Sequence, residues 1–337
     1  MKPVSKLPLF AAVVVSLVCG IAGGLVRAGV VTAQHEWLGQ AAVSHAALMI
    51  CGFFGTLIGI ERATAAKRRI AWLAPLASAL ASLALIAGLH ALAAGLLVTA
   101  SAVFVPVNAM FWRRERAPHT LLLACAAASW AVGNVLFAVG MPSLEWWFGF
   151  LVVTIAAERL EMTRLMPRRA GANGMLAAVM TALAAGAAAS PAFFGIALVA
   201  LALWLLAFDV ARRTIRAPGL PRYMAVCLIS GYAWLAIGGV CWSLGIRDAS
   251  LHSLGLGFVV SMVMAHAPVI LPAVAKVKME FNRGFYAPLL LLHASLAWRL
   301  LESLGQGAAM NAMAIALFAI TALFAVFQKR KSRPEAA

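Results

Sequence analysis

Apolar runs and short polar breaks alternate along the whole chain. Twelve apolar segments can be marked, at roughly 8–30, 38–60, 70–88, 90–112, 119–139, 145–160, 173–189, 191–210, 222–245, 250–275, 284–303 and 308–327. An α-helix rises 1.5 Å per residue and needs about 20 residues to cross the hydrocarbon core of a bilayer, so each segment is a candidate span. Segments seven and eight are separated only by Ala189-Ser190-Pro191. The pattern predicts an all-α polytopic membrane protein with about twelve transmembrane helices, organised as one transmembrane domain over 1–337.

Charge supports the count. With twelve spans both termini fall on one face. That face receives Lys2 and Lys6, Arg62 with Lys67, Arg68 and Arg69, and Arg113, Arg114 and Arg116. It also receives Arg159, Arg164, Arg168 and Arg169, then Arg212, Arg213, Arg216 and Arg222, then Lys276, Lys278 and Arg283, and lastly Lys329, Arg330, Lys331 and Arg333. These are 24 of the 27 Lys and Arg. A wrong number of spans would scramble the alternation. Because basic loops stay on the cytoplasmic side, both termini are expected there, in a bacterial-type inner membrane. Arg27, Arg247 and Arg299 alone fall at the outer ends of helices, where topology does not require them. Asp248 beside Arg247, and Glu302 one turn from Arg299, are acidic neighbours that offset two of them.

Composition agrees. Hydrophobic residues make up 64% of the 337 residues and charged residues 11%, where a soluble domain is nearer a quarter charged. The net charge of +16 is accounted for by the basic loops and calls for no nucleic-acid partner; the partner it implies is the lipid bilayer. Cys19, Cys51, Cys125, Cys227 and Cys241 all lie in apolar segments without a CxxC, so they read as small core residues. Lys2 and Lys6 precede an apolar run with no small-residue cleavage site, which makes that run the first helix.

Two histidines stand out against this background. His45 lies about two turns into segment two from the outer end, and His252 lies in the first turn of segment ten, also from the outer end. An ionisable ring at membrane depth is costly and marks a functional site. Two such rings on different helices suit the axial ligation of a haem. Ala46, Ala47, Gly52 and Gly55 after His45, and Gly255 and Gly257 after His252, leave room for a flat macrocycle. Arg27, Arg247 or Arg299 would neutralise outward-pointing propionates. The bland alternative has each histidine bonded to a carbonyl or to water. His35, His90 and Met49 add imidazole and thioether groups near the same face, the ligand types copper takes. Deeper in the chain, His266 and His293 fall at similar depth on consecutive antiparallel segments. They are candidates for a second haem or metal site, or for a hydrogen-bonded pair. Pro268 and Pro272 free backbone carbonyls that His266 is placed to satisfy. His119 is an ordinary helix-end residue. Asn108, Asn134, Asp209 and Tyr232 complete the sparse polar set, and no line of carboxylates crosses the bilayer.

A faint repeat links segment two (GFFGTLIGIER), segment six (FGFLVVTIAAER) and the Gly257-Phe258 pair of segment ten, at a spacing of four helices.

The run Ser44-His45-Ala46-Ala47-Leu48-Met49-Ile50 resembles the histidine motif in the second helix of the haem–copper oxidase large subunit. Leu251-His252-Ser253 through Val260-Ser261-Met262 resembles that subunit's tenth helix. Segment two, with His-x-x-x-Met followed by Gly-Phe, is similar to the NnrS family of twelve-span haem and copper proteins linked to nitric oxide stress. The resemblance covers the topology and two helices. It implies a haem–copper-oxidase-like bundle with a low-spin haem b on His45 and His252. Segment six reads Glu145-Trp146-Trp147-Phe148-Gly149-Phe150 and segment seven has no histidine, so the oxidases' high-spin haem and copper ligands have no counterpart here. The expectation is therefore a haem protein with a redox or nitric-oxide-related role, working with a redox partner or respiratory complex and not catalysing turnover itself. The alternatives are a twelve-helix small-molecule transporter, or an accessory protein for respiratory-complex assembly or copper delivery.

Overall fold

The structure, a computed structural model, describes residues 7–163, 171–275 and 279–331. Among the basic positions counted above, Lys2, Lys6, Arg164, Arg168, Arg169, Lys276, Lys278 and Arg333 lie outside the described residues. The described residues form two compact units, 1–161 and 162–337.

The first unit contains α1 (Leu7–Arg27), α2, α3 (Leu73–Ile86), α4 (His90–Arg114), α5 (Pro118–Ala138) and α6 (Leu144–Met162). α2 is built from four consecutive pieces: Glu36–Val43, His45–Ala47, a π-helix Leu48–Gly55, and Thr56–Ala66. The second unit contains α7 (Ala172–Ala189), α8 (Pro191–Phe208), α9 (Leu220–Ser243), α10, α11 (Tyr286–Leu301) and α12 (Leu304–Lys331). α10 runs Arg247–His252, a second π-helix Ser253–Val260, then Ser261–Ala275.

Eleven of the described helices are long and apolar enough to cross a membrane. The sequence pattern marked twelve. The difference is α6, which forms over the expected segment but carries Glu145, Glu158, Arg159 and Glu161 near its ends. Thirteen of its nineteen residues are buried, and its charged ends make it less apolar than the other eleven.

Helix ends follow local chemistry. Pro118, Pro191 and Pro221 sit in first turns, where a missing N–H costs nothing. Ser190 caps α8 by accepting from Phe193 N at 3.3 Å. α1, α3, α5 and α9 all stop on the same motif: Gly29, Gly88, Gly140 and Gly245 take positive φ of 71–74°. The next residue in each case donates back to the carbonyl five before it, as Leu89 N does to Ala84 O at 2.8 Å and Ile246 N to Cys241 O at 2.9 Å.

In the first unit, Phe104, Trp130 and Phe150 bring α4, α5 and α6 together. Trp130 stacks on Phe150 at 5.2 Å, and Phe104 meets both rings edge-on. Leu9 and Val13 of α1 pack with Ile60 of α2 and Ala79 of α3. In the second unit Tyr223, Phe281, Phe285 and Tyr286 form an aromatic cluster with centroids 5.2–6.4 Å apart. The five cysteines are free thiols. Cys51 and Cys227 are buried as core residues, Cys19 and Cys241 are half-buried and Cys125 is exposed.

Candidate functional site: two histidine and π-helix segments

Each unit contains one long helix in which a histidine stands within three residues of the start of an eight-residue π-helix. π-Helices are rare and concentrate at functional sites. His45 lies three residues before the first π segment and His252 one residue before the second. Both segments then read Gly-Phe-x-x-hydroxyl: Gly52-Phe53-Phe54-Gly55-Thr56 and Gly257-Phe258-Val259-Val260-Ser261. Both close alike, with the backbone N–H of Thr56 on Phe53 O and that of Ser261 on Phe258 O.

His45 is held by a neighbouring helix. Its Nδ1 lies 2.7 Å from Gly20 O on α1, and its ring rests on Gly24, where a Cβ would come within 2.8 Å of Cε1. A carbonyl only accepts, so Nδ1 carries the proton and Nε2 carries the lone pair. The following π segment is clamped by side chains. Ser78 Oγ donates to Cys51 O at 2.7 Å, and Trp130 Nε1 donates to Cys51 Sγ at 3.4 Å. The Cys51 thiol donates to Asn134 Oδ1 at 3.6 Å, which also receives Trp147 Nε1 at 3.0 Å. Asn134 Nδ2 donates to Leu97 O at 2.9 Å. One buried amide therefore ties α2, α4, α5 and α6 together.

His252 is held by its own helix and an ion pair. Its Nδ1 lies 2.9 Å from Asp248 O and 3.2 Å from Asp248 Oδ1, giving the same tautomer as His45. Arg299 of α11 grips that carboxylate with both arms, Nε to Oδ2 at 3.0 Å and Nη2 to Oδ1 at 2.8 Å. Asp248 thus pairs with Arg299 across helices; its chain neighbour Arg247 is exposed. The physical reason is geometric, since adjacent residues on a helix point apart while the fork needs a planar carboxylate in front of it. Arg27 is also exposed, with Nη1 3.5 Å from Ala42 O. The π segment packs on α9, where Trp234 occupies the space a Cβ on Gly257 would take.

The deeper pair is arranged differently. His266 Nδ1 bonds Met262 O in its own helix at 2.7 Å. His293 bonds α9: Trp234 Nε1 donates to its Nδ1 at 2.8 Å, so its Nε2 is the N–H and meets Ser230 Oγ at 3.0 Å. Both ring nitrogens of His293 are used in holding Trp234 and Ser230, the hydrogen-bonding alternative raised above. His90 Nε2 bonds Gln40 Oε1 at 2.9 Å, and His35 is exposed. Buried His119 faces Glu115 at 3.9 Å. Among the described residues, no group of three or more His, Cys, Asp or Glu side chains is placed to hold a metal ion.

Sequence reasoning missed the two π segments and the roles of Asn134, Trp130 and Trp147. The Gly-Phe repeat was the available signal. The pair recurs in α6 as Gly149-Phe150, with the hydroxyl one residue later; there the helix stays α and Thr154 Oγ1 donates to Phe150 O at 2.7 Å.

The chain belongs to the family described as Domain of unknown function (DUF8744), which it matches over residues 6–327. The match runs through both units and both histidine segments. No curated protein and no solved structure matches the chain.

Proposed function

We propose that the protein is a multi-pass inner-membrane protein that binds one haem b through Nε2 of His45 and of His252 and serves electron transfer or nitric oxide handling. The observation that carries this reading is the shared state of the two imidazoles. A metal-ligating histidine directs its other ring N–H to a carbonyl or carboxylate, which fixes the tautomer and aims the ligating nitrogen. His45 does this with Gly20 O, and His252 with Asp248. Both sit at the entrance of a π segment. When bound, haem supplies one-electron chemistry tuned by its axial ligands and their hydrogen bonds. His45 and His252 would hold the group, and two histidine ligands would suit electron transfer to a redox partner or respiratory complex better than gas binding or turnover. Arg27 and Arg247, both exposed, are the arginines proposed for the propionates, while Arg299 is committed to Asp248. His293 is not carried forward as a ligand, because the lone pair of its Nδ1 receives the Trp234 N–H. The basic loops and both termini are placed on the cytoplasmic side by the positive-inside rule. A transporter built on repeats would interrupt equivalent helices in its two halves; here the interrupted helices are the second of the first unit and the fourth of the second.

The test is a pyridine haemochrome spectrum of purified protein, with His45→Ala and His252→Ala alongside. The expected result is one haem b in the wild type and loss of the low-spin spectrum in each variant, with helix content unchanged by circular dichroism. Normal haem occupancy in both variants would reject the assignment.

A further inference from the structure

We propose that Asp248, held in place by Arg299, is a positioning residue that sets the donor strength of His252 and so the potential of the bound haem. This rests on the haem reading above. The two histidines are not held alike. His45 meets a neutral carbonyl. His252 meets the Asp248 carbonyl and, at 3.2 Å, the Asp248 carboxylate as well. An anion at Nδ1–H pulls the proton from the ring and makes Nε2 a stronger donor, which favours the oxidised iron and lowers its potential.

Arg299 opposes that pull. Its guanidinium bonds both carboxylate oxygens, Nη2 taking the same Oδ1 that faces His252. The Arg299 side chain is 7% exposed and that of Asp248 42%, so packing fixes the guanidinium while the carboxylate it grips keeps an open edge. Arg299 is therefore part of the tuning of His252, in addition to balancing a charge. The two residues act on the imidazole with opposite sign. A purely structural role for the cluster gives no such opposition.

The experiment is an equilibrium redox titration of the purified, haem-loaded full chain in detergent. Asp248→Asn keeps the shape but removes the charge. It should raise the midpoint potential, changing the reduced-to-oxidised ratio at fixed potential about tenfold, which is about 59 mV for one electron. Arg299→Gln leaves the carboxylate facing His252 uncompensated and should move the midpoint the other way. Where Asp248→Asn does not assemble, Asp248→Glu, which displaces the carboxylate by one methylene, and Arg299→Gln decide the matter together. Opposite shifts with haem retained support the proposal. Unchanged potentials, or shifts of the same sign, in haem-loaded variants overturn it and leave the cofactor reading standing. Haem-free wild-type protein overturns both.

Discussion

The π segment of α2 and that of α10 end in the same short motif but are held by different means. In α2 the histidine is anchored on another helix, and its π turns are clamped from outside by Ser78, Trp130 and, through Cys51, Asn134. In α10 the histidine is anchored within its own first turn and by an ion pair, and its π turns lie against the glycines and Trp234 of α9. α6 makes a useful contrast. It has the Gly-Phe pair without a histidine, its hydroxyl Thr154 stands one residue later than Thr56 and Ser261 do, and it stays in α register with that threonine bonded to Phe150 O. The difference teaches that a Gly-Phe pair alone does not make a π segment.

The largest effect should come from breaking the α2 clamp. Asn134→Leu strands Trp147 N–H and the Cys51 thiol in the core, while Leu97 C=O keeps Ser101 Oγ at 3.1 Å. At roughly 1–3 kcal/mol for each orphaned group, the loss should reach about 2 kcal/mol or more, read as a large drop in the apparent Tm of detergent-solubilised protein. A smaller, more selective effect is expected from Gly24→Leu. The new side chain occupies the seat of the His45 ring, so haem should be lost while the fold persists, as the haemochrome and circular dichroism would report. An equivalent change along α1 has no counterpart for His252, whose anchor is local.

The smallest effects carry the clearest signs. Thr56 Oγ1, Ser253 Oγ and Ser261 Oγ are buried and make no hydrogen bond, whereas Ser16, Thr64, Thr154 and Ser230 all bond the carbonyl four residues back. The three unbonded hydroxyls all stand at the ends of the π segments. Removing a buried hydroxyl that has no partner should stabilise, so Thr56→Val and Ser261→Ala should each raise the apparent stability by about 1 kcal/mol. Thr154→Val, which removes a bonded hydroxyl, should lower it by about the same amount. Tm shifts of one sign at all three positions would remove the distinction between π and α register drawn here.

Much of the fold was legible from hydropathy, because long apolar runs parted by short polar breaks form long helices joined by short loops. α6 shows where that ends: it has the length of a span, yet its charged ends leave it less apolar than the other eleven and its body is buried. His45 and His252 were legible as candidates because an imidazole at depth is conspicuous. Their anchors were not, since Gly20 O is a backbone atom 25 residues from His45, and Arg299 reaches Asp248 from 51 residues away. The π segments leave no hydropathy signal, because one extra residue per turn does not change which residues are apolar. Asn134 stood out only as a lone polar residue. Its role depends on two tryptophans and a cysteine that, read singly, are ordinary core residues.

The glycine turns that end α3 and α9 have a consequence for assembly. Each joins its helix to the next through three residues, Ala87-Gly88-Leu89 and Leu244-Gly245-Ile246, whose donors are already satisfied by the preceding helix. Such a hairpin exposes little hydrophilic main chain at its tip. The two helices are thus prepared to enter a lipid phase as a pair, whichever side of the bilayer finally receives the tip.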